Sequence, residues 1–327
     1  MWRWLALLLV ACTAVAGLGA VRRTPGEPEG PVVLTLPAAG GERLLATHLQ
    51  VRPDGRAFAL WHVGDRYALA VWQAEDDEAV LLSRTALEGL AWARDGLYFV
   101  QMSAPVGGRA EILRYRWGEE QPEVVLTGGA IRGRPRGLAW RSPGLLLYAD
   151  DEGLKAAQPG IPWRVSRLTG PGIPDTLQYG AFAPGSLRYI GIQGGYLVLA
   201  EAGQATAVPL TEAGNQSLTR VAWSEDGRRV ALGLGYAELG GRILLFDVAG
   251  WGTPRQVAEV AGGSPLFVGR RFFFVDPEGQ VMEWREGQAE PVAVDRPASS
   301  LAGAGREGPL YVIRPGPEPA VLQVPLR

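Results

Sequence analysis

Trp223-Ser224-Glu225-Asp226-Gly227, followed by Arg228–Leu234, is the stretch whose reading decides the fold. An aromatic anchor ends a short strand, an Asp-Gly turn reverses the chain, and a dense apolar run follows. Val51-Arg52-Pro53-Asp54-Gly55 before Arg56–Trp61 repeats the pattern. Weaker copies are Trp92 with Asp95-Gly96, Trp140 with Pro143-Gly144, Phe182 with Pro184-Gly185, Phe267 with Gly269, and Ala304 with Glu307-Gly308. The anchors recur every 37 to 48 residues, near the blade length of a β-propeller.

A lone four-stranded blade cannot bury both faces, so blades must stack around an axis. The second strand of each unit should then be apolar throughout rather than alternating. Leu97–Val100, Leu145–Tyr148, Phe272–Val275 and Leu310–Ile313 fit this rule. The seventh unit holds three strands, and residues 31–37 (Pro-Val-Val-Leu-Thr-Leu-Pro) supply a fourth. The expected fold is all-β: a seven-bladed propeller of four-stranded antiparallel blades over 31–327, closed by that N-terminal strand. Six or eight blades are the alternatives. The 45 Gly and 25 Pro suit many tight turns.

Residues 1–21 read as a signal peptide or membrane anchor: Met1-Trp2-Arg3, an apolar stretch from Trp4 to Val21, then Arg22-Arg23. The 18 residues would span about 27 Å at ~1.5 Å each, close to a ~30 Å hydrocarbon core. Leu9-Val10-Ala11-Cys12 resembles a bacterial lipobox, which implies lipid attachment at Cys12, the only cysteine. An uncleaved anchor and ordinary cleavage near Ala14-Val15-Ala16 stay open. All three send the domain out of the cytoplasm, to the periplasm or cell surface. Residues 22–30 form a Pro/Gly-rich charged spacer.

The turns Arg52–Arg56 and Ser224–Arg228 resemble the Ser-Pro-Asp-Gly signature of TolB-like (WD-repeat-like) propellers. The hairpins Gly107–Leu113 and Gly240–Leu245 resemble the third-strand start of such repeats. The likeness spans roughly residues 45–325 and is sharp in two or three units. It implies a binding scaffold outside the cytoplasm, of the bacterial lipoprotein type.

The chemistry is sparse. No Gly-x-Ser-x-Gly elbow and no Gly-rich loop with lysine is present; Lys155 is the only lysine. One Cys and two His cannot build a zinc cluster, and no metal or other cofactor is expected. A formal charge of −2 offers nothing to nucleic acid. The acidic runs Glu75–Glu78 and Asp150–Glu152 read as solvated turn charges, with cation binding as the alternative. His48 and His62 read as packed structural residues, with a ligand pair or pH switch as the alternative.

Counting four residues back from each anchor places Thr47, Glu88, Arg136, Gln178, Thr219, Gly263 and Ser300 around the mouth of the central channel. His48 and Arg220 adjoin that level. Arg132, Arg134 and Arg136 form a local series able to grip a carboxylate or phosphate. The candidate ligand or partner residues are therefore His48, Glu88, Arg132, Arg134, Arg136, Gln178 and Arg220, with no catalytic residue assigned. The expected function is a membrane-tethered scaffold, a monomer, binding an envelope protein or a small anionic ligand. The alternatives are a propeller-type hydrolase or lyase using groups such as Glu88 and Arg136, and a purely structural envelope protein.

Overall fold

The computed structural model describes residues 32–35, 46–62, 68–75, 79–104, 107–168, 178–201, 203–210, 218–235, 241–248, 253–288, 290–295, 298–304, 308–314, 320–324 and 326. The 1–21 segment with Cys12, the 22–30 spacer and Asp76–Glu78 lie outside these residues. All described residues fall in one compact unit, Pro31–Arg327.

Seven four-stranded antiparallel sheets make the fold. The first strand of the chain, β1 (Val32–Thr35), joins the last sheet, as described below. Blade 1 is β2 (Ala46–Val51), β3 (Ala57–His62), β4 (Ala68–Gln73) and β5 (Val80–Ser83). Blade 2 is β6 (Ala86–Ala93), β7 (Gly96–Met102), β8 (Ala110–Tyr115) and β9 (Glu123–Leu126). Blade 3 is β10 (Arg136–Arg141), β11 (Leu145–Asp150), β12 (Gly153–Gln158) and β13 (Arg164–Arg167). Blade 4 is β14 (Gln178–Phe182), β15 (Tyr189–Gln193), β16 (Tyr196–Glu201) and β17 (Gln204–Pro209). Blade 5 is β18 (Leu218–Trp223), β19 (Arg229–Leu234), β20 (Arg242–Asp247) and β21 (Arg255–Ala261). Blade 6 is β22 (Gly263–Val268), β23 (Arg271–Val275), β24 (Val281–Trp284) and β25 (Val292–Asp295). Blade 7 is β26 (Ser300–Gly303), β27 (Leu310–Arg314) and β28 (Ala320–Val324), completed by β1.

β1 runs antiparallel to β28, with Val32 opposite Leu322 and Thr35 opposite Ala320. The two ends of the domain thus seal the ring, and β28 does not remain an open edge. The third strand of blade 3, β12, carries Leu-Lys-Ala-Ala, a pattern too mixed to announce a strand.

The packing explains why second strands are apolar throughout. Successive residues point to opposite faces, and each face meets a different blade. Phe58 and Leu60 pack against Tyr311 and Ile313 of blade 7, whereas Ala59 packs with Leu97 and Phe99 of blade 2. Phe272 and Phe274 face blade 5, while Phe273 and Val275 face blade 7. Seven buried apolar clusters occupy the seven seams between blades.

The turn grammar also has a physical basis. Asp226 accepts a hydrogen bond from the Arg228 amide (3.1 Å), and Gly227 donates to the Ser224 carbonyl (2.9 Å). Asp54 and Gly55 repeat this with Arg56 and Arg52. Such an Asp closes its own turn, and Gly takes the positive φ of 65° and 73°. Both glycines dock on the preceding blade at equivalent places, Gly55 beside Ala304 and Gly227 beside Ala183.

Candidate functional site

The strand starts that face the axis form the first candidate site. First strands of neighbouring blades contact one another around the ring, including β6 with β10 and β26 with β2. Thr47, Glu88, Arg136, Gln178, Thr219, Gly263 and Ser300 all fall on these strands near their leading ends. In six blades the pairing register shifts at this level: Ala46/His48, Leu87/Leu90, Arg136/Ala139, Gln178/Gly180, Leu218/Arg220 and Gly263/Leu266. One extra residue in five of these inner strands, and two in that of blade 2, bend them and re-aim their side chains. Sequence spacing located the level, but it gave no sign of the bulges.

Arg220 departs from blade 5 and donates through Nη2 to the Leu301 carbonyl of blade 7 at 3.1 Å. Its guanidinium therefore spans a chord past blade 6. From blade 1, His48 feels the same charge: burial and Arg220 together push its imidazole down to about 3. His48 is thus neutral at physiological pH. His62 takes part in β3 through its backbone.

Two buried hydroxyls, Ser264 Oγ and Tyr189 Oη, make no hydrogen bond among the described residues. Ser264 sits in the blade 6 bulge with φ +51°, the only non-glycine positive φ among the described residues. Holding serine there costs on the order of 1 kcal/mol. Tyr189 runs beneath Gly180 and Gly137; burial pushes its hydroxyl up, and the charge of Arg136 works against that. Gly137 (φ +59°) is required here, because a Cβ would lie 2.7 Å from the Gly180 carbonyl oxygen. Neither hydroxyl was singled out from sequence; a Tyr opening a second strand and a Ser on a first strand carry no local signature.

The three arginines of blade 3 part company. Arg132 is exposed and pairs with Glu152 at 3.3 Å, Arg134 is exposed, and Arg136 alone enters the inner strand half-buried. Glu88 and Gln178 are placed on β6 and β14 by their backbones.

The Asp150–Glu152 run is solvated only in part: Asp151 and Glu152 are exposed as expected, but Asp150 is not. Asp150 is fully buried, and Lys155 Nζ reaches its carboxylate at 2.7 Å and that of Glu152 at 2.8 Å. The Arg132 and Glu152 amides also donate to Asp150, each at 2.9 Å. Burial opposes the Lys155 charge, but hydrogen bonds to Asp150 and Glu152 and their charges outweigh it and hold the ammonium above the lysine range. Lys155 also donates to the Ala130 carbonyl, so the only lysine pins the segment that leads into Arg136. The distinctive composition had concealed its role, since a single lysine reads as an accident of usage. Among the described residues, no group of three His, Cys, Asp or Glu is arranged to hold a metal.

A second candidate lies on the opposite face, where the strand-one-to-two turns gather. Blades 5 and 6 enclose a groove of about 660 Å³ between Ser224–Arg229 and Asp247 on one wall and Arg270–Arg271 and Glu283–Glu286 on the other. Glu283, nearly fully buried, accepts two hydrogen bonds from Arg271 (2.7 and 2.9 Å) and one from Arg285 (2.7 Å). The Arg271 hydrogen bonds act most strongly; burial opposes them, Arg285 adds to them, and the carboxyl settles down at about 2. Arg229 of blade 5 pairs with Glu286 of blade 6 across the seam.

No family model matches the sequence, and no curated protein does. Solved structures do resemble it. YCF48 from Cyanidioschyzon merolae is 12% identical with a TM-score of 0.61, covering 91% of this chain and 99% of its own. The RRP9 WD40 repeats are 14% identical with a TM-score of 0.63, covering 93% and 99%. YCF48 bound to D1 peptide gives 14% and 0.57, covering 94% and 97%. At such identities the likeness establishes the seven-bladed propeller, and nothing finer.

Proposed function

We propose that the protein is a membrane-tethered propeller of the TolB-like type that works outside the cytoplasm as a docking scaffold for a protein partner. The single observation that carries the scaffold reading is the seal between β1 and β28. It turns seven sheets into a closed disc that presents fixed faces and grooves, the form in which a surface binds with little loss of its own freedom. A structural neighbour, YCF48, has been captured with a peptide, which supports protein binding as a use of this architecture. The tether rests on the apolar run Trp4–Val21 and on Cys12, and the 22–30 spacer would separate disc from bilayer.

The test is affinity capture of the full-length chain from detergent-solubilised membranes, after crosslinking, beside a Cys12→Ser variant. A partner recovered in stoichiometric amount with wild type, and reduced with the variant, is expected. Absence of any such partner removes the scaffold reading. Intact-mass measurement of the mature N-terminus tests the tether separately: a diacylglyceryl adduct on Cys12 is expected, and an unmodified chain starting after residue 16 would refute it.

A small anionic ligand at the channel mouth is a second reading, favoured by the Tyr189 hydroxyl near Arg136 and the Ser264 hydroxyl on the first strand of blade 6, neither hydrogen-bonded among the described residues. Calorimetric titration with citrate and with inorganic phosphate tests it, since loss of binding in Arg136→Ala is required.

A further inference from the structure

The seam between blades 5 and 6 lies under a groove on the turn face. Its apolar layer holds five buried residues, Ala231, Ile243, Leu245, Phe272 and Phe274. Blade 6 turns in two residues, Gly269-Arg270, between the paired Val268 and Arg271, where blade 5 spends a longer Asp-Gly turn. The groove of about 660 Å³ lies beside this shorter turn, lined by Arg270 and Arg271 on the blade 6 side. That volume lies within the ~300–1,000 Å³ typical of ligand sites.

The charges in the groove are unequally matched. Each carboxylate on its walls has a partner: Asp226 takes Ser224 and the Arg228 amide, Asp247 takes Arg255, Glu283 takes Arg271 and Arg285, and Glu286 takes Arg229. The guanidinium groups of Arg228 and Arg270 are exposed, one on each wall, and neither makes a hydrogen bond or ion pair among the described residues. Their charges reach Asp226: burial opposes its ionisation, but Ser224, the Arg228 amide and the two guanidinium groups hold its carboxyl low. The groove therefore has its own anions satisfied and two guanidinium groups, one from each blade, with no hydrogen bond or ion pair among the described residues.

We infer that this groove docks an acidic segment of a partner protein, with side-chain carboxylates seated on Arg228 and Arg270. The inference rests on the docking-scaffold reading and names the chemistry of its partner. An extended strand presents side chains on alternate sides, so one segment can offer carboxylates to both walls at once. Guanidinium groups hold carboxylates bidentately, which fixes the segment's register as well as its charge. The groove volume leaves room for its backbone.

The experiment is fluorescence anisotropy of the full-length chain in detergent with a fluorescein-labelled hexapeptide of six consecutive Glu residues, whose side chains point alternately to the two walls. Saturable binding is expected, with none for the Gln-for-Glu peptide. An Arg228→Ala, Arg270→Ala double variant should bind at least about tenfold more weakly. Arg164→Ala, on the outer strand of blade 3, should leave the affinity unchanged. Equal affinity of the double variant, or equal binding of the Gln peptide, overturns the inference. So does uptake of phosphatidylglycerol vesicles through the same two arginines without peptide binding, which would assign the groove to a membrane surface. Capture of a stoichiometric partner that the double variant retains would overturn the groove and leave the scaffold standing; no partner in any form would remove the scaffold itself.

Discussion

Replacing Lys155 with Met gives the sharpest test of how blade 3 is held together. The Lys155 side chain is 5% exposed and that of Asp150 is 0% exposed. Breaking a buried pair by removing one partner costs roughly 3–5 kcal/mol, because the other charge is left uncompensated. Here the loss is smaller, since the Arg132 and Glu152 amides still donate to Asp150. Two charge-assisted bonds of that kind retain part of the stabilisation, so the expected cost is about 2–4 kcal/mol. Urea unfolding followed by tryptophan fluorescence reads it directly from the midpoint and slope. Asp150→Asn in the Lys155→Met background should then cost much less than in wild type, with a coupling of about 1 kcal/mol or more. Hydrogen exchange adds a local readout: the amides of Arg132 and Asp151 should lose protection, since Asp151 bonds the Arg132 carbonyl in this network. A Lys155→Met protein within about 0.5 kcal/mol of wild type, or additive double-variant costs, would refute the idea that this lysine fixes the segment leading into the channel.

Three further outcomes are expected. Gly137→Ala should destabilise by about 2–4 kcal/mol in urea, through positive φ and the Gly180 oxygen, while Gly129→Ala, with open space around it, should stay within about 0.5 kcal/mol. His48 binds a proton in the unfolded chain below its ordinary 6.5 but only near 3 when folded, so its contribution is full above pH 6.5 and declines as pH falls through that window. His48→Gln should flatten the acid limb of stability against pH by about 1.4 kcal/mol per unit there. Glu283 is held down at about 2 from 4.5, so its contribution is present above pH 4.5 and lost as pH falls toward 2. Glu283→Gln should remove that loss, on the order of 1–2 kcal/mol once solvent screening of Arg285 is allowed for, as measured by unfolding at a series of acidic pH values.

How much of this was readable in the chain can be seen residue by residue. The Asp-Gly turns were legible because the Asp54 and Asp226 carboxylates close them from within two residues. The apolar second strands were legible because burial on two sides leaves no alternation to misread; Phe272–Val275 shares its four side chains between two seams. The level of the channel mouth followed from spacing alone. Its contents did not. Arg132 and Arg136 lie four residues apart, yet one pairs with Glu152 and the other enters β10, since strand geometry separates neighbours that a list of residues places together.

Periodicity, turn chemistry and the run of apolar strands determined the architecture from sequence alone: seven units, four strands each, and a terminal strand to close them. These are local signals, repeated often enough to be read without a partner in view. Only the tertiary structure decided which polar groups meet, because that depends on residues far apart in the chain. Arg220 reaching Leu301 across 81 positions, and Arg229 reaching Glu286 across 57, arise from the curvature of the ring. The unmatched arginines of the 5/6 groove are visible only once every carboxylate has been assigned its neighbour in space.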